Sequence, residues 1–306
     1  LFCRCPEKWN IKMTDTALSK VAIIGIGLIG ASVALAARHR KSDCHIALYD
    51  RDEAVRKTAQ GLNIGDEICA DSAACVADAD LVILAVPVGA MKAVMSKIKS
   101  HLKQGAIITD TGSTKRSVIR DIGPLIPDNC HLIAGHPLAG TEFSGPEAGF
   151  PSLFEGRYWL IIPGEAPQEK VSQLEQFLSA LGAMTEQMDA EYHDRVLALT
   201  SHLPHLIAYT IVGTATDLEQ DLKNDVIRFS ASGFRDFTRI AASDPVMWRD
   251  VFINNDEAIL EMLQRFNEDL SYLQRAIRWK EGDKLFELFS RTRDIRRSII
   301  DAGQDS

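Results

Sequence analysis

The feature that most constrains this chain is an apolar run of 17 uncharged residues, Val21 to Ala37, which contains three glycines. A run of this length approaches the roughly 18 apolar residues that are typical of a membrane-spanning helix. Gly25, Gly27 and Gly30 argue against one continuous helix, because glycine is unfavourable inside helices. The spacing G-x-G-x-x-G instead predicts a strand, a tight turn and a helix, which together bind the pyrophosphate of a dinucleotide.

Each glycine has its own predicted task. Gly25 allows the tight turn, Gly27 lets the backbone approach the pyrophosphate, and Gly30 lets the helix pack on the strand. The alternative is a fold of the same kind that binds no cofactor. Asp50 stands 20 positions after Gly30, where an acid that binds the ribose hydroxyls is expected. The predicted cofactor-binding residues are Gly25, Gly27, Leu28, Ile29, Gly30, Asp50, Arg51, Val86 and Pro87.

The acid at position 50 also bears on the choice of cofactor. A carboxylate there accepts hydrogen bonds from the ribose and repels a 2′-phosphate, so Asp50 favours NAD over NADP. Arg51 follows directly and can tolerate a 2′-phosphate, which leaves NADP open. We therefore predict NAD as the cofactor.

Short apolar runs alternate with helical segments from Lys20 to about Met188. Most of these runs are unbroken and rich in Val and Ile, as are strands that are buried on both faces of a sheet. Strand–helix alternation predicts a parallel, doubly wound sheet. The predicted strands are residues 21–25, 45–50, 81–86, 106–110, 131–135 and 158–162.

The pattern changes after Met188 to helical periodicity without convincing strands. The clearest helix is 258–277, where an apolar stripe recurs at three- and four-residue steps and predicts packing on other helices, of this chain or of a second subunit. The fold class predicted is an α/β Rossmann-type domain at 13–188 followed by an all-α domain at 189–306. Residues 1–12 are expected to be an upstream or disordered segment. The stripe consists of Ile259, Leu263, Phe266, Leu270, Leu273 and Ile277.

Composition limits the partners and the compartment. The chain has 34 Lys and Arg against 42 Asp and Glu, and its net charge of −8 argues against nucleic acid or an anionic membrane as a partner. Six cysteines without repeating spacing are typical of reduced thiols rather than of a disulfide framework. The first twelve residues do not resemble a signal peptide. We expect a cytoplasmic protein.

Two candidate clusters follow predicted strands at their carboxyl ends, where doubly wound sheets bind ligands. The first is the segment DTGSTK, 110–115, in which Ser113 is the candidate functional residue. The alternative is that this segment only forms a turn and caps the helix that follows. The second holds His136, which stands before Pro137 on rigid backbone. A lone histidine is otherwise a surface or satisfied core residue, and the position at the ligand-binding edge favours a functional role.

Two further clusters lie in the helical half. His202 and His205 share one helical face, which raises the possibility of a metal site. A catalytic zinc requires three protein ligands, and the sequence contains no HExxH motif, so we predict no metal. Arg235 and Arg239 lie near Asp236 in an apolar context. Arginine suits bidentate binding of a carboxylate, and the alternative is an ion pair between Asp236 and either arginine.

The segments GIGLIGAS, DTGSTK, GHPLAGTE, SHLPH and SGFRDFTRIAASDPVMWRD, in this order, resemble the prephenate/arogenate dehydrogenases of tyrosine biosynthesis. The resemblance extends from about Lys20 to Arg297. It implies a dinucleotide-binding domain followed by a helical domain through which the chain forms a homodimer. It also implies oxidative decarboxylation of prephenate to 4-hydroxyphenylpyruvate, or of arogenate to tyrosine, with NAD(P)+.

The same resemblance implies residue roles. His136 matches the catalytic histidine that hydrogen-bonds the ring hydroxyl of the substrate, and Ser113 matches the serine that shares this contact. Arg239 matches the arginine that binds a substrate carboxylate. The other substrate-binding residues that it implies are His205, Thr141, Glu142 and Asp236, of which Glu142 and Asp236 match acidic positions near that arginine.

Two alternatives from other classes stay open. One is a different NAD-dependent hydroxy-acid dehydrogenase of the same two-domain architecture, which often uses an interdomain lysine. The segment 201–212 contains no lysine, and the nearest downstream is Lys223. The other is a non-enzymatic NAD-sensing regulator, which would not need His136, Ser113 and Arg239 together.

Overall fold

A computed structural model describes residues 18–40, 43–216 and 228–301 of the chain. The chain forms two compact units, Leu1–Asp256 and Glu257–Ser306. The segment 1–12, expected to be upstream or disordered, lies outside the described residues. The predicted change of domain near residue 189 stays a prediction.

The first unit contains a six-stranded parallel sheet. Its strands are β1 (Lys20–Ile24), β2 (His45–Tyr49), β3 (Glu67–Ile68), β4 (Leu81–Leu84), β5 (Ile107–Asp110) and β6 (His131–Leu132). The strand order is β3-β2-β1-β4-β5-β6. The direction of winding therefore reverses between β1 and β4, and ligands of such sheets bind at this reversal, beyond the carboxyl ends of the strands.

Helices cover both faces of this sheet. They are α1 (Leu28–His39), α2 (Glu53–Gly61), α3 (Ser72–Val76), α4 (Val88–Ile98) and α5 (Arg116–Ile122). Alternate residues of β1 point into two different hydrophobic clusters: Val21 and Ile23 pack with the apolar side chains of α1, whereas Ala22 and Ile24 pack with those of α3 and α4. The sequence-based prediction of a doubly wound sheet with strands buried on both faces is confirmed.

A second sheet of three strands corrects one part of the sequence analysis. Its elements are β7 (Ala134–Pro137), β8 (Tyr158–Ile162), α6 (Gln168–Ala180) and β9 (Met184–Gln187). The strand order is β7-β8-β9, with β7 antiparallel and β9 parallel to β8. The predicted run 131–135 is divided between β6 and β7, and 158–162 does not join the parallel sheet. Proline has no N–H to donate to a ladder, and Pro137 accordingly lies on an edge strand.

The described residues that follow β9 in the first unit are mainly helical. They contain α7 (Ala190–Leu197), a π-helical turn (Ala198–His202), α8 (Leu203–Thr216), α9 (Ser232–Thr238), a 3-10 turn (Arg239–Ala242) and α10 (Pro245–Asn254). The continuous stretch Ala190–Ala215 is long and apolar enough, by length and composition alone, to cross a membrane. Core helices pass the same test, and this stretch carries His193, Asp194 and His202, which are buried.

The second unit consists, in its described part, of α11 (Asp256–Arg278), which starts at the boundary, and α12 (Gly282–Asp301). The helix predicted at 258–277 is confirmed. Its apolar stripe is buried at Ile259 but exposed at Leu270 and Ile277, and Phe286 on α12 is 75% exposed. A single chain therefore leaves much of the apolar surface of this unit uncovered.

Candidate active site

The glycine turn connects β1 to α1 with the geometry that a dinucleotide requires. Gly25 has φ +103°, and a Cβ on it would lie 2.2 Å from the Ala85 carbonyl oxygen. A Cβ on Gly30 would lie 2.0 Å from the carbonyl oxygen of Gly25, so neither position accepts a side chain. A Cβ on Gly27, by contrast, would meet no atom within 4 Å. The backbone at Gly27 is thus open to a phosphate at the N-terminus of α1.

Asp50 lies at the end of β2 and stabilises this turn through hydrogen bonds to the backbone. One carboxylate oxygen accepts a hydrogen bond from the Ile26 N–H, and the other accepts one from the Asp52 N–H, both at 2.9 Å. Each oxygen keeps a second lone pair with which it can accept a ribose hydroxyl. The residues present therefore fit a dinucleotide with a free 2′-hydroxyl.

The other predicted cofactor residues surround the same turn. Leu28 and Ile29 form the first turn of α1, where backbone N–H groups point outward. The Val86 side chain lies beside Gly25, and Pro87 precedes α4 at the end of β4. Arg51 is exposed next to Asp50.

His136 lies on β7, where this strand crosses the carboxyl end of β5. The Gly135 N–H donates to the Asp110 carboxylate at 3.0 Å, which fixes β7 at this edge of the sheet. His136 is 7% exposed. Its Nδ1 lies 2.9 Å from Nε2 of His193 on α7, and Nδ1 of His193 lies 2.8 Å from the Asp194 carboxylate. The three side chains form one hydrogen-bonded line that ends in a carboxylate.

Asp194 also caps the N-terminus of α5. Its two carboxylate oxygens accept hydrogen bonds from the backbone N–H groups of Lys115, at 2.7 Å, and Arg116, at 2.9 Å. Burial opposes the charge of Asp194, but the hydrogen bonds from His193 and from these two N–H groups outweigh it and lower its pKa. Asp194 is therefore ionised near neutral pH. The helix cap that was the alternative role of the segment 110–115 is supplied by Asp194 of α7 instead.

Lys115 lies fully buried behind His136. Its ammonium group contacts the Asp110 carboxylate and donates to the Gly135 carbonyl oxygen. Burial lowers the pKa of Lys115, and the charge of Asp110 opposes this effect. The turn that follows β5 thus places one buried ion pair directly against the strand that carries His136.

These surroundings keep the imidazoles neutral. Burial lowers the pKa of His136 well below 6.5, and the nearby His193 and Lys115 act in the same direction. Burial also lowers the pKa of His193 and brings that of His202 to about 4. Near neutral pH His136 is therefore an uncharged imidazole that can accept a proton.

The two histidines predicted to share a face have different partners. Nδ1 of His202 lies 3.0 Å from the Asn255 amide nitrogen, which also donates to the Asp194 carbonyl oxygen at 2.9 Å. His205 instead stacks on Trp248, with ring centroids 3.6 Å apart, and its Nδ1 donates to the Ser201 carbonyl oxygen at 2.8 Å. No group of three metal-ligating side chains occurs among the described residues.

The remaining predicted substrate residues lie at the surface. Arg239 is 59% exposed and donates to the Glu142 carboxylate at 3.1 Å, and its charge contributes to the lowered pKa of His205. Asp236 is exposed on α9. Arg239 forms its ion pair with Glu142 and not with Asp236. The Thr141 hydroxyl accepts from the Phe143 N–H.

Ser113 lies half-buried on the turn after β5, two residues before Lys115. The structure thus brings the segment 110–115 against His136, and it brings Arg239 against Glu142 and near His205. Sequence reasoning missed His193, Asp194 and Asn255, and it gave Lys115 no role. The one signal available for the first two was an adjacent His-Asp pair near the start of the long, mostly apolar helical stretch Ala190–Ala215.

Two family models match the chain. The nucleotide-binding domain of prephenate dehydrogenase matches residues 33–187, and the prephenate dehydrogenase dimerization domain matches residues 189–291. Together they span most of the sequence.

Individual relatives agree with these models. The cyclohexadienyl dehydrogenase of Zymomonas mobilis is 41% identical over 93% of this chain and 97% of its own length. The crystal structure of Aquifex aeolicus prephenate dehydrogenase, in complex with hydroxyphenyl propionate and NAD+, is 30% identical, with a TM-score of 0.86 over 94% of this chain and 100% of that one. The Synechocystis arogenate dehydrogenase structure is 26% identical, with a TM-score of 0.76 over 91% and 99%. The resemblance carried by the sequence motifs is confirmed, and the chain belongs to the prephenate dehydrogenase family.

Proposed function

We propose that this protein is an NAD-dependent dehydrogenase that oxidatively decarboxylates prephenate, arogenate or both. The observation that carries the proposal is a buried histidine, His136, at the carboxyl edge of a sheet whose glycine turn fits a dinucleotide. The names of the relatives, which include cyclohexadienyl, prephenate and arogenate dehydrogenases, support the same substrates.

The reaction needs a proton acceptor at the ring hydroxyl. When bound, NAD+ accepts the hydride from the hydroxyl-bearing carbon. His136 takes the hydroxyl proton as CO2 leaves the opposite ring carbon and the ring becomes aromatic. Because the product again carries a hydroxyl, His136 holds this proton only transiently. A positioned general base contributes about 10²–10⁴ to the rate of such a step.

Substrate orientation is assigned to the exposed charged residues and to the serine of the turn. Arg239 supplies a planar cation for a substrate carboxylate. His205, Thr141, Glu142 and Asp236 complete the proposed substrate site, at which Glu142 pairs with Arg239 until the substrate carboxylate takes its place. Ser113 is proposed to share with His136 the contact to the ring hydroxyl.

The proposed cofactor site consists of the glycine turn between β1 and α1 and of the end of β2. Gly25, Gly27, Gly30 and the first turn of α1 are proposed to hold the pyrophosphate, and Asp50 the ribose. A carboxylate at position 50 would repel a 2′-phosphate on that ribose, which supports the proposed preference for NAD over NADP.

The assembly proposed is a homodimer formed through the C-terminal helices, in the cytoplasm, without nucleic acid or membrane partners. Support comes from the match of residues 189–291 to a dimerization domain and from the exposed apolar side chains of α11 and α12. The domains proposed are residues 13–188 for the dinucleotide and 189–306 for the substrate and the dimer contact.

The test is an absorbance assay at 340 nm with prephenate, arogenate and malate as separate substrates. Reduction of NAD+ with prephenate or arogenate is the expected result, and parallel kcat/KM values rank the two. Turnover of malate alone would instead indicate a hydroxy-acid dehydrogenase. NAD binding without turnover of any of the three would indicate a regulator.

A further inference from the structure

Asp194, His193 and His136 lie in one buried line that links α7 to β7. We propose that Asp194 and His193 are positioning residues, which hold His136 in the tautomer protonated on Nδ1 so that Nε2 faces the substrate hydroxyl as the base. The inference rests on the proposed function, because it assigns a task to residues that do not themselves touch the substrate.

The first step is the direction of the hydrogen bond between Asp194 and His193. The carboxylate already accepts the backbone N–H groups of Lys115 and Arg116, and an ionised carboxylate has no proton to donate. The ring nitrogen that lies 2.8 Å away, Nδ1 of His193, must therefore carry the proton.

The second step follows from the neutrality of His193. Burial lowers the pKa of this imidazole, so near neutral pH it carries one proton only. With that proton on Nδ1, its Nε2 is an acceptor. The partner 2.9 Å away, Nδ1 of His136, must then be the donor, and the lone pair of His136 is left on Nε2.

The third step concerns the reacting state. The O–H bond of the substrate breaks, its proton forms a new N–H bond at Nε2 of His136, and no proton has to leave His193. The Nδ1–H bond of His136 becomes charge-assisted and stronger at that moment. Asp194 lies next in line, and its negative charge stabilises the imidazolium, as the orienting carboxylate does in hydrolase triads.

The other charged and titratable groups around the pair act on the same equilibrium. Lys115, on the turn after β5, and His202, on the π-helical turn, disfavour a charge on His136. His193 faces Lys115 and also the carboxylates of Asp194 and Asp110. The two buried carboxylates of Asp110 and Asp194 and the single buried ammonium of Lys115 together carry one net negative charge. This charge stabilises a transient positive charge on His136.

Two substitutions separate positioning from mere packing. His193→Phe keeps an aromatic ring in the site but removes both hydrogen bonds. His193→Gln keeps an amide oxygen that can accept from His136 and an amide nitrogen that can donate to Asp194. We expect His193→Phe to lower kcat on the order of 100-fold, the low end of a general base contribution, with KM changed less than about threefold. The kcat of His193→Gln should exceed that of His193→Phe by about tenfold or more.

The matched control is His45→Phe. The His45 side chain pairs with Glu67, and His45 begins β2 at the amino end of the parallel strands, whereas His136 lies at their carboxyl end. Its kcat should equal that of the unmodified enzyme. Thermal unfolding and NAD binding, measured on all variants, report whether each is folded.

The direct readout is the ¹⁵N spectrum of histidine-labelled enzyme, in which His136→Asn assigns the His136 signals. The unmodified enzyme should show a protonated Nδ1 and an unprotonated Nε2 at His136. A protonated Nε2 there overturns the proposal, whether or not the phenylalanine variant folds. So does a folded His193→Phe variant with kcat within threefold of normal, or a glutamine variant no better than the phenylalanine one. If the unmodified enzyme turned over neither prephenate nor arogenate, the proposed function would be wrong instead. The tautomer of His136 can be measured independently of that result.

Discussion

The residues proposed for the chemistry lie in two contrasting places. The side chains whose charges act on His136 are buried, and each has a hydrogen-bond partner: Lys115, His193 and His202 are all completely inaccessible. Around Arg239 the ion pair with Glu142 is open to solvent, with the arginine 59% exposed. Charges interact far more strongly in the first region, because water screens the second.

This difference predicts different kinetic signatures. A buried, fully bonded cluster has one arrangement, so losing a member should change the chemical step or the stability of the fold. The exposed Arg239 is proposed to bind the substrate carboxylate, so its loss should change substrate binding. The substitutions below test this division.

The largest effect is expected for His136→Asn. Asparagine preserves polarity but cannot accept a proton, so kcat should fall by about 10²–10⁴ while NAD binding is retained. Steady-state kinetics with prephenate and equilibrium titration with NAD+ check the two halves of this prediction. Turnover within a few-fold of normal would remove His136 from the base role.

The pH profile of the unmodified enzyme provides the control for this variant. Activity needs the neutral imidazole and is lost as pH falls through the pKa of His136. Since burial holds that pKa well below 6.5, kcat/KM should not fall as the pH is lowered through 6.5, the ordinary pKa of histidine. A fall centred at pH 6.5 or above that disappears in His136→Asn would contradict the buried geometry.

Lys115→Met should have the next largest effect, on stability. The substitution keeps the side-chain length but leaves the Asp110 carboxylate buried without its cation, which typically costs about 3–5 kcal/mol. Urea denaturation measures the loss. The matched control is Lys103→Met, because the Lys103–Asp80 pair is partly exposed and should contribute at most about 1 kcal/mol. Equal losses in the two variants would mean that burial does not set the energetics.

The buried region was also the harder one to predict from the sequence. The glycine turn, the buried strands and the position of His136 follow from local patterns, because each depends on residues close together in the chain. His193 and His136 are separated by 57 positions, and Asp194 and Lys115 by 79. Only the packing of α7 against β7 and the N-terminus of α5 brings them together. The strand β9 was missed for a related reason: three of its four residues are exposed, so it lacks the apolar signal of a buried strand.

The exposed region should respond through binding. Arg239→Gln removes the proposed charge-assisted hydrogen bond to the substrate carboxylate. Such a bond is worth about 1.5–3 kcal/mol, so KM should rise roughly 10- to 150-fold with a smaller change in kcat. Arg235→Gln, on the preceding turn of α9, is the matched control and should leave KM unchanged. An unchanged KM in Arg239→Gln would assign that arginine a structural role instead.

Glu142→Gln should have the smallest effect, and in the opposite direction. Glu142 holds the Arg239 guanidinium at 3.1 Å, so its carboxylate competes with the carboxylate of the incoming substrate. Exposed ion pairs contribute up to about 1 kcal/mol, which limits the gain to roughly a fivefold lower KM at low salt. The gain should shrink as salt increases, because screening weakens the competing pair. Glu147→Gln, which removes an exposed charge from the same loop, controls for net charge alone. A higher KM in Glu142→Gln would show that Glu142 orients Arg239 for the substrate rather than competing for it.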